Sequence, residues 1–351
     1  MYPIGYIDCT TTWDEWAKAH PEIVNKKRKV LLRNGQSPGD LIVWTRAIGD
    51  LKECYPNYQI GIECPAMEIF ENSPRITQLN KEDQNVETFN IAYDEINQGG
   101  WSGIHFSDAW RHDMEKKLGV PIKKTGIRPE LWISDLEKTW INQVEMTFGW
   151  KGSYILLNAG HKQDNLLKQY HKYQEVVDLL NRYFGEKVKI VTIGHKDHIH
   201  PRLKGVLNLV GQTDLRQMIR LAYWSQMSIG PISLQFVMSA ALGQPAVVIA
   251  AGKEGPRWQR YNWIRYITNV GALPCAEFDG CWLGGEKGKC TQLIKYKDQE
   301  IPKCFAMITP EEIAKTVEDY YEGGLLKIPT KKENKKFQRD FKDFQKTKKR
   351  K

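Results

Sequence analysis

Short apolar runs alternate along this chain with stretches in which apolar positions recur every three or four residues, the two periods of buried strands and amphipathic helices. Lys29–Arg33 (KVLLR) predicts a strand and residues 34–40 (NGQSPGD) a loop. Leu41 to Glu53 then predicts a helix with Leu41, Trp44, Ile48 and Leu51 as its inward stripe. Ser37 suits the N-cap, Pro38 the first helical position, and Asp40 lies three residues after the cap. Tyr55-Pro56-Asn57 ends the helix, and Gln59–Glu63 predicts a second strand, giving a unit of βαβ length. Residues 72–130 continue as short apolar pieces among Gly, Pro and Asn, an extension of the same sheet.

A second series starts near residue 150. Strands are predicted at Tyr154–Leu157, Val188–Ile193, 206–210, Met227–Gly230 and Pro245–Ala250. Between them come helices at Tyr173–Tyr183, at Asp214–Trp224 with Thr213 as cap, and at Leu234–Leu242. Alternating α and β elements with apolar strands predict parallel sheets covered on both faces. The expected organisation is α/β with two Rossmann-like lobes, 1–148 and 149–310, then a helix at 311–326 and a tail at 327–351. Ligands of such sheets sit outside the carboxyl ends of the strands. That places the loops 34–40, 158–168, 194–201, 230–233 and 251–258 on one working face, lining a cleft between the lobes.

The length of 351 residues supports two cores, and 41% hydrophobic with 26% charged residues excludes a disordered chain. The longest apolar stretch, Ile229–Ala251, is broken by Pro231, Gln235, Gly243, Gln244 and Pro245, so no membrane span is expected. Asp8, Asp14 and Glu15 stand where an export signal needs cations, which points to a cytoplasmic protein. The net charge of +9 is concentrated at the end: the last 21 residues hold eleven Lys and Arg against three Asp and Glu. Such a segment is either a frayed, solvated terminus or a binder of polyanions such as nucleic acid, anionic lipid or phosphorylated glycan.

The loops carry candidate chemistry. Asp40 suits a general base, and equally a carboxylate that caps its helix. Asn158, Lys162 and Lys168 follow a strand and suit a diphosphate, as do Gly230 and Ser233 at a helix start, although Ser233 also reads as an ordinary cap. Gly194 and His195 open the next loop; His195, His198 and His200 allow nucleotide contact, ordinary loop structure or a metal. Lys253, Glu254 and Arg257 follow the last strand. Neither a Walker A sequence nor the dinucleotide glycine fingerprint is present. Of seven cysteines, Cys275, Cys281, Cys290 and Cys304 fall within 30 residues, spaced for one structural, thiolate-held ion or for isolated reduced thiols.

These loops together resemble the heptosyltransferases of glycosyltransferase family 9. The matching pieces are Ser37–Leu41 with its helix to Tyr55-Pro56, Asn158 to Lys168, Val210–Arg216, and Gly230–Gly243 leading into Pro245–Ile249. Pro274-Cys275, Gly280–Trp282 and Pro302–Cys304 resemble a branch in which autotransporter heptosyltransferases glycosylate protein and carry a four-cysteine iron site. The resemblance implies a GT-B fold, with the first lobe on the acceptor side (Ser37, Gly39) and the second binding a nucleotide-sugar donor. It implies Asp40 as general base, Lys168 as donor-phosphate ligand, the Gly230–Leu234 loop beneath the diphosphate, and inversion without a catalytic metal. Asn158, Lys162, Gly194, His195, Ser233 and Glu254 join the donor side, and the cysteines would hold one structural Zn or Fe. A His usual in the family after the 230 loop is replaced by Phe236-Val237, which leaves the donor sugar open. Lipopolysaccharide core or another saccharide is the default acceptor and protein the second. The basic tail adds hydroxymethylated DNA bases as an alternative, and an inactive nucleotide- or glycan-binding module is the other.

Overall fold

The computed structural model describes residues 12–92, 104–162, 168–276, 280–281, 290–297, 299–327 and 331–349. Residues 163–167 of the 158–168 loop therefore lie outside the described set. The chain divides into two compact units, Met1–Trp132 with Arg257–Tyr261, and Ile133–Pro256 with Asn262–Lys351.

In the first unit, β1 (Lys29–Arg33) is the centre of a parallel sheet in the order β2-β1-β3, flanked by β2 (Gln59–Glu63) and β3 (Val86–Asn90). Helix α1 (Pro38–Cys54) connects β1 to β2 as expected, and α2 (Phe106–Leu118) packs beside it. The predicted stripe is only part of what α1 buries. From Leu41 to Leu51 every residue is buried, Arg46 and Asp50 included. Arg46 donates to Asp50 at 3.0 Å and Glu130 at 3.0 Å, while Asp50 accepts from the Thr125 hydroxyl at 2.6 Å. Burial raises the Asp50 carboxyl despite these partners, so the network tolerates the charges without being a source of large net stability.

The second unit holds a six-stranded parallel sheet in the order β6-β5-β4-β7-β8-β9. Its strands are β4 (Ser153–Leu157), β5 (Val188–Thr192), β6 (Leu207–Asn208), β7 (Met227–Gly230), β8 (Ala246–Ala251) and β9 (Ile264–Thr268). This is the Rossmann order, with the direction of winding reversing between β4 and β7. Helices α3 (Tyr173–Phe184), α4 (Leu215–Trp224), α5 (Leu234–Leu242) and α6 (Pro310–Glu322) accompany it. Tyr173, Val176, Val177 and Leu180 of α3 join Ile313 and Val317 of α6 in one core against the sheet. Asp214, not Thr213, caps α4: its carboxylate accepts from the Gln217 N–H and Gln217 answers it, the D-x-x-Q capping box.

Residues 133–148, expected to close the first lobe, group with the second unit. A bidentate pair explains it. Arg216 of α4 meets Glu137 at 2.6 and 2.7 Å, with both side chains under a tenth exposed. Burial opposes the Glu137 charge, but the guanidinium and the Ser134 hydrogen bonds prevail and hold its carboxyl at about 2.

The basic terminus is not a frayed tail. Lys331–Lys349 forms α7, a 19-residue helix. Phe337 and Phe341 meet the Trp150 ring edge-on, centroids 6.5 and 5.6 Å apart. Phe344 covers Gly149, where any Cβ would lie 2.4 Å from its ring. Gln338 and Gln345 donate to the carbonyls of Glu186 and Phe148. Among the described residues, no helix is long and apolar enough to cross a membrane.

Candidate active site

At the end of β1 the chain turns through a loop organised by Asn34, which is 4% exposed. Its Oδ1 accepts from the Gln36 N–H at 3.0 Å, an Asx turn that leads into α1. The Nδ2 is buried without a hydrogen-bond partner among the described residues. Ser37 takes the extended N-cap conformation with Pro38 behind it, but its hydroxyl makes no capping bond. Gly39 and Asp40 follow in the first turn, both half-buried. The expected reciprocal box of Ser37 and Asp40 therefore lacks its Ser37 half.

In the second unit the chemistry gathers where β4 and β7 end side by side. The Asn158 N–H bonds the Ile229 carbonyl at 2.9 Å. Its Nδ2 donates to Ser233 Oγ at 2.9 Å and Gln235 Oε1 at 3.2 Å, and its Oδ1 accepts from the Gly160 N–H. Ser233 itself donates to Gln235 and makes no cap bond to α5. Gly230 is required at this crossing. A Cβ there would stand 2.6 Å from the Asn158 carbonyl and 2.7 Å from Gln235 Nε2. Lys168 reaches over the loop, donating to the Ile232 carbonyl at 3.0 Å and pairing with Glu254 at 2.9 Å. Lys253 lies half-buried beside them; burial lowers its pKa, and Glu254 opposes that shift. Two lysines against one carboxylate leave this corner, at the N-terminus of α5, positive.

Asn158, Lys168, Gly230, Ser233 and Glu254 thus come together as expected. Lys162 and His195 do not join them: both are exposed, and His195 accepts from the Asp197 N–H at 3.3 Å. Of the alternatives for the histidines, His200 takes ordinary loop structure. Its ring sits against Gly160 and Gly194, where added Cβ atoms would lie 2.1 and 2.2 Å from Cε1. Its Nε2 contacts the His195 carbonyl at 2.9 Å. Beside it opens a cavity of about 400 Å³, lined by Ala159, Thr192, His200, Arg202, Leu203 and Asn208 among others. That volume suits a small ligand, at the ends of β5 and β6. Thr192, Arg202 and Asn208 were not candidates from sequence. The available signal was their place at the carboxyl ends of the second and third strands of the series and in the loop between them.

The four clustered cysteines line one small cavity of about 20 Å³, together with Gly252, Lys253, Leu273 and Ala276. All four are free thiols. Burial pushes Cys281 up to about 11 and raises Cys304 as well. Among the described residues, no group of three or more His, Cys, Asp or Glu is arranged to hold a metal ion, the histidines of 195–200 included. The cavity lies directly under the loop that carries Lys253 and Glu254. The Cys281 N–H bonds the Gly252 carbonyl at 3.0 Å, and a Cβ on Gly280 would meet the Lys253 carbonyl at 2.3 Å.

No family model matches the chain, and no curated protein does. Solved structures do. A glycosyltransferase of family 9 from Veillonella parvula is 11% identical with a TM-score of 0.60, over 86% of this chain and 99% of that one. TibC of enterotoxigenic Escherichia coli, an iron-containing dodecameric heptosyltransferase solved with ADP-D-β-D-heptose, is 15% identical at 0.60, over 85% and 78%. The E. coli ADP-heptose lipopolysaccharide heptosyltransferase II is 14% identical at 0.53, over 84% and 99%. At these identities the likeness is one of fold: the chain has the GT-B-type α/β architecture of family 9 glycosyltransferases.

Proposed function

We propose that this protein is an inverting glycosyltransferase of the heptosyltransferase type, moving a sugar from a nucleotide diphosphate to a hydroxyl. The observation that carries the reading is Lys168, pinned over the 230–233 loop by the Ile232 carbonyl and Glu254 at the N-terminus of α5. In the transfer, the acceptor oxygen bonds to the anomeric carbon as the bond from that carbon to the diphosphate oxygen breaks. The electron pair leaves on the diphosphate, where Lys168, Lys253 and the α5 N–H groups stabilise it. Asp40 takes the acceptor proton. Its place in the first turn of α1, behind a Ser37 that withholds its own cap bond, supports that role. The cavity beside Ala159 and Thr192 suits the nucleoside. A saccharide such as lipopolysaccharide core is the first acceptor class and protein the second.

The four thiols share one small space beside Lys253 and are the donor type that a soft ion takes. Among the described residues they are not drawn together into a coordination site, so a bound ion would have to gather them. We assign Cys275, Cys281, Cys290 and Cys304 to one structural Zn or Fe. When bound, it would hold them as thiolates and fasten the 252–254 loop from below. Metal analysis of the purified protein should give one equivalent, and Cys304→Ser should lose it together with several degrees of melting temperature. A metal-free wild type would remove this assignment.

For the reaction, a panel of nucleotide-sugars is screened by thermal shift and turnover. Asp40→Asn should lower turnover about 10²- to 10⁴-fold while the donor-induced shift persists. Lys168→Ala should abolish the shift. Full turnover in Asp40→Asn sinks the base; a chain stabilised by nucleotide yet inactive with every donor and acceptor is a binding module instead.

A further inference from the structure

Helix α7 has two faces with opposite commitments. Phe337, Phe341 and Phe344 recur at i, i+4 and i+7 and are turned onto Trp150 and Gly149. Lys332, Lys335, Lys336, Arg339, Lys342 and Lys346 are all exposed and fall on the remaining surface, at helical spacing. Arg339 and Lys346 have only loose, solvent-exposed contacts with Asp340 and Asp343, at 3.7 and 3.5 Å. The other four make no ion pair among the described residues, and surface pairs of the former kind contribute little. From Lys332 to Lys346 the row spans about 21 Å, the axial length of roughly six base pairs. Trp150 and the two glutamine bonds fix the helix to the second unit, so the cations are presented in a line and not on a flexible chain.

We infer that this face of α7 is a docking surface for the phosphate backbone of a polynucleotide. Charge complementarity selects a polyanion, and the aromatic face selects among polyanions. Durable attachment to a membrane by a basic helix needs a second, apolar signal. On α7 the phenylalanines are half-buried and turned onto Trp150 and Gly149, and the outward face is ionic and polar. Such a face makes sequence-independent phosphate contacts, and the affinity comes from counterion release.

The test uses the full-length protein and a mixed-sequence 30-base-pair duplex, with binding followed by fluorescence anisotropy at several salt concentrations. Six phosphate contacts give a slope of log affinity against log salt near −5, so a fourfold rise in salt weakens binding about 10³-fold. Neutralising three of the cations (K335Q, K336Q and K342Q together) should roughly halve that slope. The same number of neutralisations on the first unit (K26Q, K27Q and K116Q) should leave it unchanged. All six sites are exposed, so a melting temperature equal to wild type is the folding check. No salt-dependent binding by the wild type, or an equal loss in both triple variants, overturns the inference. So does co-sedimentation with phosphatidylserine vesicles by a protein that does not bind the duplex.

Discussion

At the end of β7, the Ser233 hydroxyl is bonded to Asn158 and Gln235, Asn158 has both ends of its amide engaged, and Lys168 closes over the loop. At the end of β1, a corner with the same strand–loop–helix plan and a serine at the same capping position, Ser37 makes no cap bond and the Asn34 side-chain Nδ2 has no partner among the described residues. Ser134, Asp214 and Thr309 cap their helices with their side chains, whereas Ser233, like Ser37, does not; the corners differ in that Ser233 is bonded to Asn158 and Gln235 instead. The second-unit corner is thus bonded within the protein in this structure, the preorganisation that the diphosphate seat proposed above calls for. In the first-unit corner the Asn34 Nδ2 is left without a bond among the described residues, a difference that bears on the acceptor side proposed above.

That contrast breaks most readily at the glycines and the asparagines. Gly230→Ala should be the most damaging change, because the Asn158 carbonyl that it would strike is backbone fixed in the sheet. A loss of about 3 kcal/mol, within the range of overpacked sites, is expected in urea unfolding, with the nucleotide-induced shift abolished. Asn158→Ala comes next, at about 1–3 kcal/mol, since it strands the Gly160 N–H and the partners of its amide. Asn34→Ala should cost less than that. It loses the bond to the Gln36 N–H but also removes a buried donor that has no partner among the described residues. Equal losses at the two asparagines would show that the corners do not differ in this way.

Much of the architecture was legible because parallel strands buried on both faces are plain apolar runs, as at Tyr154–Leu157 and Ala246–Ala250. The gathering of Asn158, Gly230 and Ser233 followed from strand order alone. What escaped depends on partners distant in sequence. Arg46 and Asp50 interrupt no helical pattern, yet their burial rests on Glu130 and Thr125, some 80 residues away. Residues 133–148 group with the second unit through partners distant in sequence, Glu137 with Arg216 and the Phe148 carbonyl with Gln345. His200 fills the space over two glycines in separate loops, which no spacing encodes. The terminal helix misled for another reason: its charge dominated the reading, although Phe337, Phe341 and Phe344 already marked an apolar stripe. Cys290 and Cys304 share a cavity with Cys275 because Leu293–Tyr296 pairs antiparallel with Gln299–Pro302 and brings the two ends of that hairpin together. Thr213 and Asp214 are adjacent and both suit a cap, and Gln217, three residues after Asp214, decides for Asp214.

The smallest expected effect is also the cleanest separation of the two corners. Gly35 sits in the loop before α1, is exposed, and would find nothing within 4 Å of an added Cβ. Its φ lies outside the left-handed range, so an alanine meets neither a clash nor backbone strain there. The main consequence of Gly35→Ala is then a smaller conformational freedom of the unfolded chain, worth about 0.4–1 kcal/mol in favour of the fold. Chemical denaturation should show that gain, opposite in sign to the loss at Gly230. Turnover reports on a different property. If the β1 corner must move as the acceptor engages, stiffening it lowers kcat while the nucleotide-induced shift stays at the wild-type value, whereas a corner that is merely under-bonded and static gains stability with kcat unchanged. A destabilised Gly35→Ala would mean that the loop is as tightly constrained as the one after β7, and the distinction between a preassembled seat and an open one would fail.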